Sequence, residues 1–416
     1  MTDTRRARRA LLRRLIWDVL YLPSASRCYP SIPMALSAPA TTANILGIAR
    51  PLQAVVLAPG GGFRQAELPR PAVGPGEMLL ALRVCGLCGT DLWKLAQGGT
   101  AGGSELGHEV VGTVVEIGPG VRGFRVGDRV AAPHHVACGD CDACRRGSEP
   151  LCPAFRASQL APGGFADLIR VGEPAVRLAA CGLPDSLSDE AAVFLEPGAC
   201  VLRGLYRSGL REIVAPAGTG GAASAAILGA GSMGLLHLLL LKALWPAVPV
   251  TLVDPLPERR ERALALGADA AVPPGEPARE AVAALAAGAG NTGSHGADAV
   301  FDTAGGAAAL AAALELTRPG GTTVLFAHAP LGNRSDVAEI DLNAFFKAER
   351  RLVGTYSGSL VEQRDVFRLL VTGRLDPTPL VTHRLPLSRF AEAVELARDR
   401  RALKVLLTPD AAPGAG

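Results

Sequence analysis

The sequence predicts an α/β protein with a β-rich first half and a doubly wound parallel sheet in its second half. Strand-like segments separated by glycine and proline occupy residues 53–57, 77–84, 110–117 and 126–131. After about Asp189, helix-like and strand-like segments alternate, including residues 225–228, 232–244 and 250–253. Such alternation builds parallel sheets through crossover helices. With 416 residues, the chain has room for two or three domains.

Composition excludes several classes of function. Lys and Arg number 42 against 39 Asp and Glu, and aromatic residues make up 4%, so we expect no nucleic-acid partner. The longest apolar run, residues 227–244, is interrupted by several glycines, His237 and Lys242, which argues against a membrane span. Nine cysteines are too few for a disulfide scaffold in a chain of this length. We therefore expect a cytoplasmic protein.

Residues 1–51 differ from the rest of the chain. Residues 5–16 contain six arginines around three leucines and one isoleucine, a basic amphipathic pattern typical of a targeting segment or a membrane-surface helix. Several prolines follow, and no residue of this stretch is a candidate for catalysis or for binding a metal or cofactor. We expect a disordered leader, with the working chain beginning after it.

Four cysteines form a compact cluster with the spacing C-x2-C-x2-C-x7-C. They are Cys138, Cys141, Cys144 and Cys152. Turns of two residues bring successive sulfurs to one ion, and four thiolates close a tetrahedral Zn²⁺ site that leaves no open position. An iron–sulfur cluster is the competing interpretation, since it too is held by four thiolates. The spacing predicts a structural zinc site.

A second, open metal site is indicated by residues at the ends of predicted strands. Cys88 and Thr90 follow one strand, while His108 and Glu109 precede the next. A thiolate, an imidazole and a carboxylate hold Zn²⁺ with one position left for water or substrate, as a Lewis acid requires. Glu196, which follows an apolar stretch, is either a further ligand or a salt-bridged structural residue.

The segment around residue 230 carries a dinucleotide-binding pattern. Gly229, Gly231 and Gly234 form a G-x-G-x-x-G motif that follows a strand and opens a helix. These glycines allow the tight turn, the approach of the backbone to a pyrophosphate and close packing of helix on strand. Asp254 closes the next strand, where a carboxylate binds the adenosine ribose and disfavours a 2′-phosphate. NAD is therefore expected in preference to NADP, although Arg259 and Arg260 follow nearby.

Taken in order, these motifs resemble those of the zinc-dependent medium-chain alcohol dehydrogenases, in particular the sorbitol and threonine dehydrogenase branch. The resemblance covers about residues 52–408. It implies a GroES-like catalytic domain at 52–200, a Rossmann coenzyme domain at 201–344 and a return to the catalytic domain at 345–416. It also implies a catalytic zinc at Cys88, His108 and Glu109, with Glu196 as a ligand or neighbour, and Thr90 at the start of a proton relay.

The implied reaction transfers a hydride between a secondary alcohol or polyol and the nicotinamide. Two features depart from the family pattern. Trp93 stands where many members have histidine. The segment before the first Rossmann strand, residues 213–223, is longer than the short turn that the family usually has there. A zinc-independent carbonyl or enone reductase and a non-catalytic NADH-sensing zinc protein remain as alternatives.

The family pattern also suggests a homodimer or homotetramer, with an apolar segment near Phe345, Phe346 and Leu352 as the interface. His134 and His135 either line the cleft or face solvent. The remaining cysteines are expected to be small buried hydrophobic residues: Cys28, Cys85, Cys181 and Cys200.

Overall fold

The computed structural model describes residues 52–97, 105–214, 223–289, 295–328 and 337–410. The predicted leader, most of the segment 213–223 and the loop at 98–104 lie outside these ranges. Within them, no helix combines the length and apolar character needed to cross a bilayer.

The first part of the chain forms antiparallel strands, and two strands from the C-terminal part, which are parallel to each other, join one of its sheets. Two strands of the first part pair as a separate hairpin, β1 (Leu52–Leu57) and β2 (Phe63–Leu68). The larger sheet has the order β15-β16-β3-β4-β5-β8, with β6 and β7 joined to its side through β3. These strands are β3 (Met78–Gly86), β4 (Glu109–Ile117), β5 (Arg129–Ala132), β6 (Leu160–Ala161), β7 (Leu168–Val171), β8 (Cys181–Gly182), β15 (Val381–Pro386) and β16 (Lys404–Thr408).

The second sheet is parallel and has the order β11-β10-β9-β12-β13-β14. Its strands are β9 (Ala225–Leu228), β10 (Val250–Val253), β11 (Ala270–Val272), β12 (Ala297–Asp302), β13 (Thr317–Leu325) and β14 (Arg351–Gly354). The chain runs outward from β9 to β11 and then returns to the other side of β9 at β12. This reversal of order is the switch point at which doubly wound sheets bind ligands, and it confirms the predicted α/β fold class.

Helices connect and cover the strands. In the first part they are α1 (Gly89–Gln97), α2 (Asp142–Arg145), α3 (Glu173–Leu178), α4 (Asp189–Ala192), α5 (Leu195–Arg207) and α6 (Leu210–Ile213). Around the parallel sheet and beyond it they are α7 (Ser232–Leu244), α8 (Pro257–Ala265), α9 (Glu276–Gly288), α10 (Ala307–Leu316), α11 (Leu342–Lys347), α12 (Leu360–Val371) and α13 (Phe390–Arg398).

Two large hydrophobic clusters among the described residues stabilise this architecture, beside a small one around the four cysteines. One lies in the antiparallel part and includes Met78, Leu80 and Phe165, while the other lies beneath the parallel sheet around Val300. Helix α7 is apolar on most of its surface because it lies between that sheet and α5. A helix covered on two sides needs such a composition.

The structure departs from the sequence predictions at two boundaries. The strand predicted at 126–131 begins only at Arg129, because Val126 is 46% exposed and Gly127 adopts a φ of 96° in the preceding turn. The parallel sheet also extends beyond residue 344, since β14 pairs with β13. The return to the antiparallel part therefore begins after β14, one strand later than predicted.

Candidate active site

Strand pairing brings the predicted metal ligands together. In the antiparallel β3–β4 register, Gly86 lies opposite Glu109. The residues just after β3, including Cys88, therefore meet those at the start of β4. Residue 86 must be glycine, because a Cβ atom there would lie 1.9 Å from the Glu109 carboxylate oxygen Oε2. The pairing of β3 with β4 thus brings Cys88 next to His108 and Glu109, although about twenty residues separate them in the sequence.

Cys88, His108 and Glu109 form a group that fits a metal ion. Their ligand atoms, one from each residue, all lie within 4.8 Å of one another. His108 and Glu109 are buried, and Cys88 is half-buried. The Thr90 hydroxyl oxygen lies 3.8 Å from the Cys88 sulfur. A thiolate, an imidazole and a carboxylate at this separation match the donor set and open geometry of a catalytic zinc site.

Asp91 holds both ligand-bearing loops in place. One carboxylate oxygen accepts the Cys88 backbone N–H at 3.0 Å, and the other accepts the Gly107 N–H at 2.9 Å. The latter oxygen also lies 3.4 Å from His108 Nδ1, which leaves Nε2 as the ring nitrogen for a metal. Burial lowers the pKa of His108, but the adjacent Asp91 carboxylate and Cys88 outweigh it and raise that pKa well above its usual value.

We expect Asp91→Asn to weaken zinc binding at this site by about 10- to 100-fold, the usual effect of losing a carboxylate that orients a metal-bound histidine. The amide keeps the size of the side chain but supplies only one acceptor oxygen. Competition with a metal-binding dye measures the change. An affinity equal to that of the unaltered protein would show that Asp91 does not orient His108.

Lys404 pairs with Glu109. Its ammonium nitrogen lies 2.7 Å from both carboxylate oxygens, and both side chains are buried. The pairing follows from topology, because β16 lies beside β3 with Leu406 opposite Gly86. Burial lowers the pKa of Lys404, but Glu109 and Cys88 outweigh it and raise that pKa. The ion pair thereby fixes the position of the Glu109 side chain next to Cys88 and His108.

Glu196 lies in the first turn of α5, outside the group of three ligand atoms that lie within 4.8 Å of one another. Its carboxylate oxygen Oε1 accepts from the Cys200 thiol, one helical turn later, at 3.4 Å. Burial raises the pKa of Glu196, while the nearby His108 lowers it. Cys200 is therefore a neighbour of this site, whereas Cys85 and Cys181 are buried as predicted.

The four-cysteine cluster has the dimensions of a zinc site. Sulfur–sulfur distances are 3.9 Å for Cys138–Cys144, 3.5 Å for Cys141–Cys144 and 3.6 Å for Cys138–Cys152. A tetrahedron with zinc–sulfur bonds of about 2.3 Å requires sulfurs about 3.8 Å apart. Arg203 of α5 binds the segment that carries these cysteines, since its guanidinium donates to the Gly147 carbonyl oxygen at 2.8 Å.

A cavity borders the open site. Its lining includes Glu109, Glu196, His134 and His135. The His134 ring lies between those of His108 and His135, with centroid distances of 4.6 and 3.7 Å. Burial and the charges of His108 and Lys94 lower the pKa of His135 to about 4, and burial also lowers that of His134. The two histidines thus line a cavity, one of the two alternatives that the sequence left open.

The glycine motif forms a tight strand–turn–helix junction between β9 and α7. A Cβ atom on Gly234 would lie 1.8 Å from the Gly229 carbonyl oxygen, so only glycine allows this packing. At Gly231 the nearest atom to such a Cβ is an Arg259 nitrogen at 3.9 Å, which leaves open space where a pyrophosphate would approach.

Asp254 directly follows β10, lies beside this motif and is buried. Its carboxylate accepts the Ala230 N–H at 2.7 Å and the Leu256 N–H at 2.9 Å. The acid is therefore fixed against the glycine turn, with Arg260 bonded to the backbone carbonyls of Asp254 and Pro255. This arrangement suits recognition of a ribose by its hydroxyls.

Trp93 does not supply an ionisable group where the family pattern has histidine. Its indole stacks instead on His328, with ring centroids 6.2 Å apart and planes 15° from parallel. His328 follows β13 of the parallel sheet and is exposed. A proton leaving the site must therefore pass through another group or through water.

Sequence reasoning missed two residues of this site. Asp91 stands three positions after Cys88, a spacing that was visible but had no assigned role. Lys404 is 295 positions from Glu109, and no local pattern indicates that pairing.

Known proteins share these features along most of the chain. A family model described as alcohol dehydrogenase GroES-like domain matches residues 74–181, and one described as zinc-binding dehydrogenase matches residues 232–372. L-threonine 3-dehydrogenase of Pyrococcus horikoshii is 34% identical over 358 residues, covering 84% of this chain and 95% of that protein.

Solved structures show the same likeness. An alcohol dehydrogenase from Thermus sp. ATN1 is 31% identical, with a TM-score of 0.70 over 86% of this chain and 100% of its own. Galactitol-1-phosphate dehydrogenase from Escherichia coli is 25% identical, with a TM-score of 0.70 over 86% of this chain and 100% of its own.

Proposed function

The chain belongs to the zinc-binding alcohol dehydrogenase family, and we propose that it oxidises a secondary alcohol or polyol at the site formed by Cys88, His108 and Glu109. The observation that carries this proposal is the convergence of one thiol, one imidazole and one carboxylate within 4.8 Å beside a cavity. Glu196 lines the same cavity, and the nearby His108 affects its pKa, so we propose it as a further ligand or as an acceptor for metal-bound water.

A zinc ion bound there would stabilise the alkoxide form of the substrate, and a bound nicotinamide would accept the hydride. The protein's own residues prepare this step. Asp91 and Lys404 orient His108 and Glu109. The Thr90 hydroxyl, 3.8 Å from the Cys88 sulfur, would accept the proton of the substrate hydroxyl. Trp93 contributes its ring but no proton-carrying group.

We assign coenzyme binding to Gly229, Gly231, Gly234 and Asp254, with NAD preferred over NADP. The buried Asp254 carboxylate at the end of β10 supports this preference, because it would repel a 2′-phosphate.

Asp254→Asn is expected to raise the ratio of kcat/KM for NADP to that for NAD by about tenfold or more, since it removes the negative charge but keeps the side-chain volume. Both coenzymes are measured on the same preparation, so that general damage cancels in the ratio. A ratio unchanged by the substitution would remove Asp254 from coenzyme selection.

We also propose roles for the remaining parts of the chain. A structural zinc would be held by the four clustered cysteines, Cys138, Cys141, Cys144 and Cys152. Residues 52–200 and those after β14 would form the catalytic domain, with the coenzyme domain between them. None of the eight described cysteines forms a disulfide, which suits the cytoplasm.

We also propose a homodimer or homotetramer. Phe346 is 77% exposed, Leu352 is 37% exposed on the edge strand β14, and this apolar surface would lie in the subunit interface. The mass measured by light scattering tests this assignment.

Nicotinamide absorbance tests the enzymatic proposal. Purified, zinc-loaded protein is incubated with NAD⁺ and, separately, with simple secondary alcohols, polyols and amino alcohols. Formation of NADH with at least one class is the expected result. A lack of turnover across the panel in protein that holds both zinc ions would favour the NADH-sensing alternative.

A further inference from the structure

A small buried space lies beside Gly204, a buried residue near the end of α5. Outside the backbone of α5, the atoms nearest to a Cβ built on Gly204 would be His237 Nε2 and Phe326 Cδ2 at 3.7 Å and Thr355 Oγ1 at 3.8 Å. These are ordinary van der Waals distances, so the space has room for one more heavy atom. It is bordered by α5, by α7 and by the segments that follow β13 and β14.

His237 presents an unused acceptor atom to this space. Its Nδ1 lies 2.7 Å from the Met233 carbonyl oxygen, which can only accept, so Nδ1 carries the proton. Burial lowers the pKa of His237 to about 4, so the ring is neutral and Nε2 is an acceptor. Nε2 is buried and has no hydrogen-bond partner among the described residues. A ligand that satisfies Nε2 must therefore donate a hydrogen.

The orientation of this ring is fixed by its surroundings. Besides the bond from Nδ1, the imidazole contacts the rings of Phe301 and Phe326, with centroid distances of 5.2 and 4.6 Å. The Phe326 ring stands at 89° to the imidazole plane. Because neither aromatic ring offers a hydrogen-bond acceptor or donor of the usual kind, Nε2 must find its partner in the space beside Gly204.

Thr355 brings a second polar atom to the same space. Its backbone N–H donates to the Leu325 carbonyl oxygen at 3.1 Å, which fixes the residue beside the end of β13. Its hydroxyl oxygen Oγ1 is buried, and nothing in the described part of the chain bonds to it. Leaving a buried polar atom without a partner is unfavourable by about as much as losing a hydrogen bond. Two such atoms that border one small space indicate a ligand that satisfies both.

We propose that one water molecule binds beside Gly204, where it donates a hydrogen bond to His237 Nε2 and shares a second with the Thr355 hydroxyl. Water has the size of one heavy atom and can both donate and accept, and buried waters typically satisfy two to four polar atoms of this kind. An ion is a poorer ligand, because a neutral imidazole and a hydroxyl supply no charge to balance it in a buried site.

This position places the water where the active site meets the coenzyme-binding part. Gly204 lies one helical turn after Cys200, whose thiol bonds to Glu196. Helix α7, which carries His237, begins within the glycine motif, and Thr355 lies two residues before Ser357, which lines the cavity. The water would thus join these three elements. No step of the proposed reaction uses it, so its test needs no substrate and stands apart from the proposed function.

A crystal structure of the zinc-loaded protein, at a resolution that shows ordered water, tests the site directly. We expect solvent density within about 3.2 Å of both His237 Nε2 and Thr355 Oγ1. A space without density, or a water bonded to only one of the two atoms, would overturn the proposal.

Gly204→Ala tests whether displacing the water destabilises the protein. Alanine normally stabilises a helix interior relative to glycine, and its methyl group fits this space without a close contact. By displacing the water, however, it leaves two buried polar atoms without a partner. We expect the equilibrium constant of unfolding, measured by denaturant titration of zinc-loaded protein, to rise about tenfold or more, opposite in sign to the usual effect.

The double variant His237→Phe/Thr355→Val provides the comparison, because it removes both polar atoms and keeps similar shapes. In that background, Gly204→Ala is expected to lower the unfolding constant by about two- to fivefold. Gly288→Ala is the control, since Gly288 ends α9 and a Cβ there would have no described neighbour within 4 Å. It should have the same small effect in both backgrounds.

The two measurements keep the proposal open to refutation. If Gly204→Ala changes the unfolding constant equally in the two backgrounds, His237 and Thr355 do not share a bound water. If the double variant does not fold, the crystal structure of the unaltered protein decides.

Discussion

Replacing Cys88 with alanine is expected to lower kcat/KM for alcohol oxidation by about a thousandfold or more and to reduce bound zinc from about two ions per chain to about one. The first effect follows because a Lewis acid contributes several kcal/mol to stabilising the alkoxide, and about 4 kcal/mol corresponds to a thousandfold change in rate. The second follows because Cys88 supplies the thiolate of the group of three ligand atoms. Initial rates and elemental analysis on the same preparation measure both.

Cys85→Ala is the matched control for this experiment. Cys85 lies three positions earlier, is buried and belongs to β3, but is not in the ligand group. We expect this variant to keep about two zinc ions per chain and most of the activity. Retention of full zinc content in Cys88→Ala, or loss of zinc in Cys85→Ala, would contradict the assignment of Cys88.

Replacing Cys152 with serine is expected to destabilise the fold strongly. Structural zinc sites contribute binding free energy directly to folding, and the Cys152 sulfur is wholly buried, 3.6 Å from that of Cys138. We expect a loss of about 3 kcal/mol or more in the free energy of unfolding, which corresponds to a fall of several degrees in Tm. Thermal unfolding followed by circular dichroism measures the change.

Cys181→Ser serves as the control, because Cys181 is also buried but lies on β8, away from the cluster. It should retain about two zinc ions, whereas Cys152→Ser should retain about one. Equal zinc content in the two variants would mean that the four cysteines do not hold an ion. Strong absorption of visible light by the purified protein would instead identify an iron–sulfur cluster at the four cysteines.

Much of the fold could be predicted because local patterns determine it. Helix α7 spans Ser232–Leu244 and β9 spans Ala225–Leu228, as predicted from the apolar run and the glycines between them. The error at β5 arose because Val126 resembles a strand residue but is exposed in a turn. The boundary at 344 was misplaced because pairing of β14 with β13 depends on the sheet, not on the sequence nearby.

The site was predictable only where its residues are close in sequence. Cys88, His108 and the four cysteines stand in short motifs, so their chemistry could be inferred from spacing. The ion pair of Glu109 with Lys404 and the stacking of Trp93 on His328 join distant segments. Such contacts depend on sheet order and register, which the sequence does not specify locally.

The central claim is that alcohol oxidation depends on a metal ion at the open site and not only on the four-cysteine lobe. The most direct measurement is activity as a function of bound zinc, during partial removal by a chelator and subsequent return of zinc. We predict that activity is lost with the first ion removed, at about one zinc per chain, and returns when the second equivalent is restored. Full activity in protein that retains only about one zinc ion per chain, held by the four cysteines, would contradict the account.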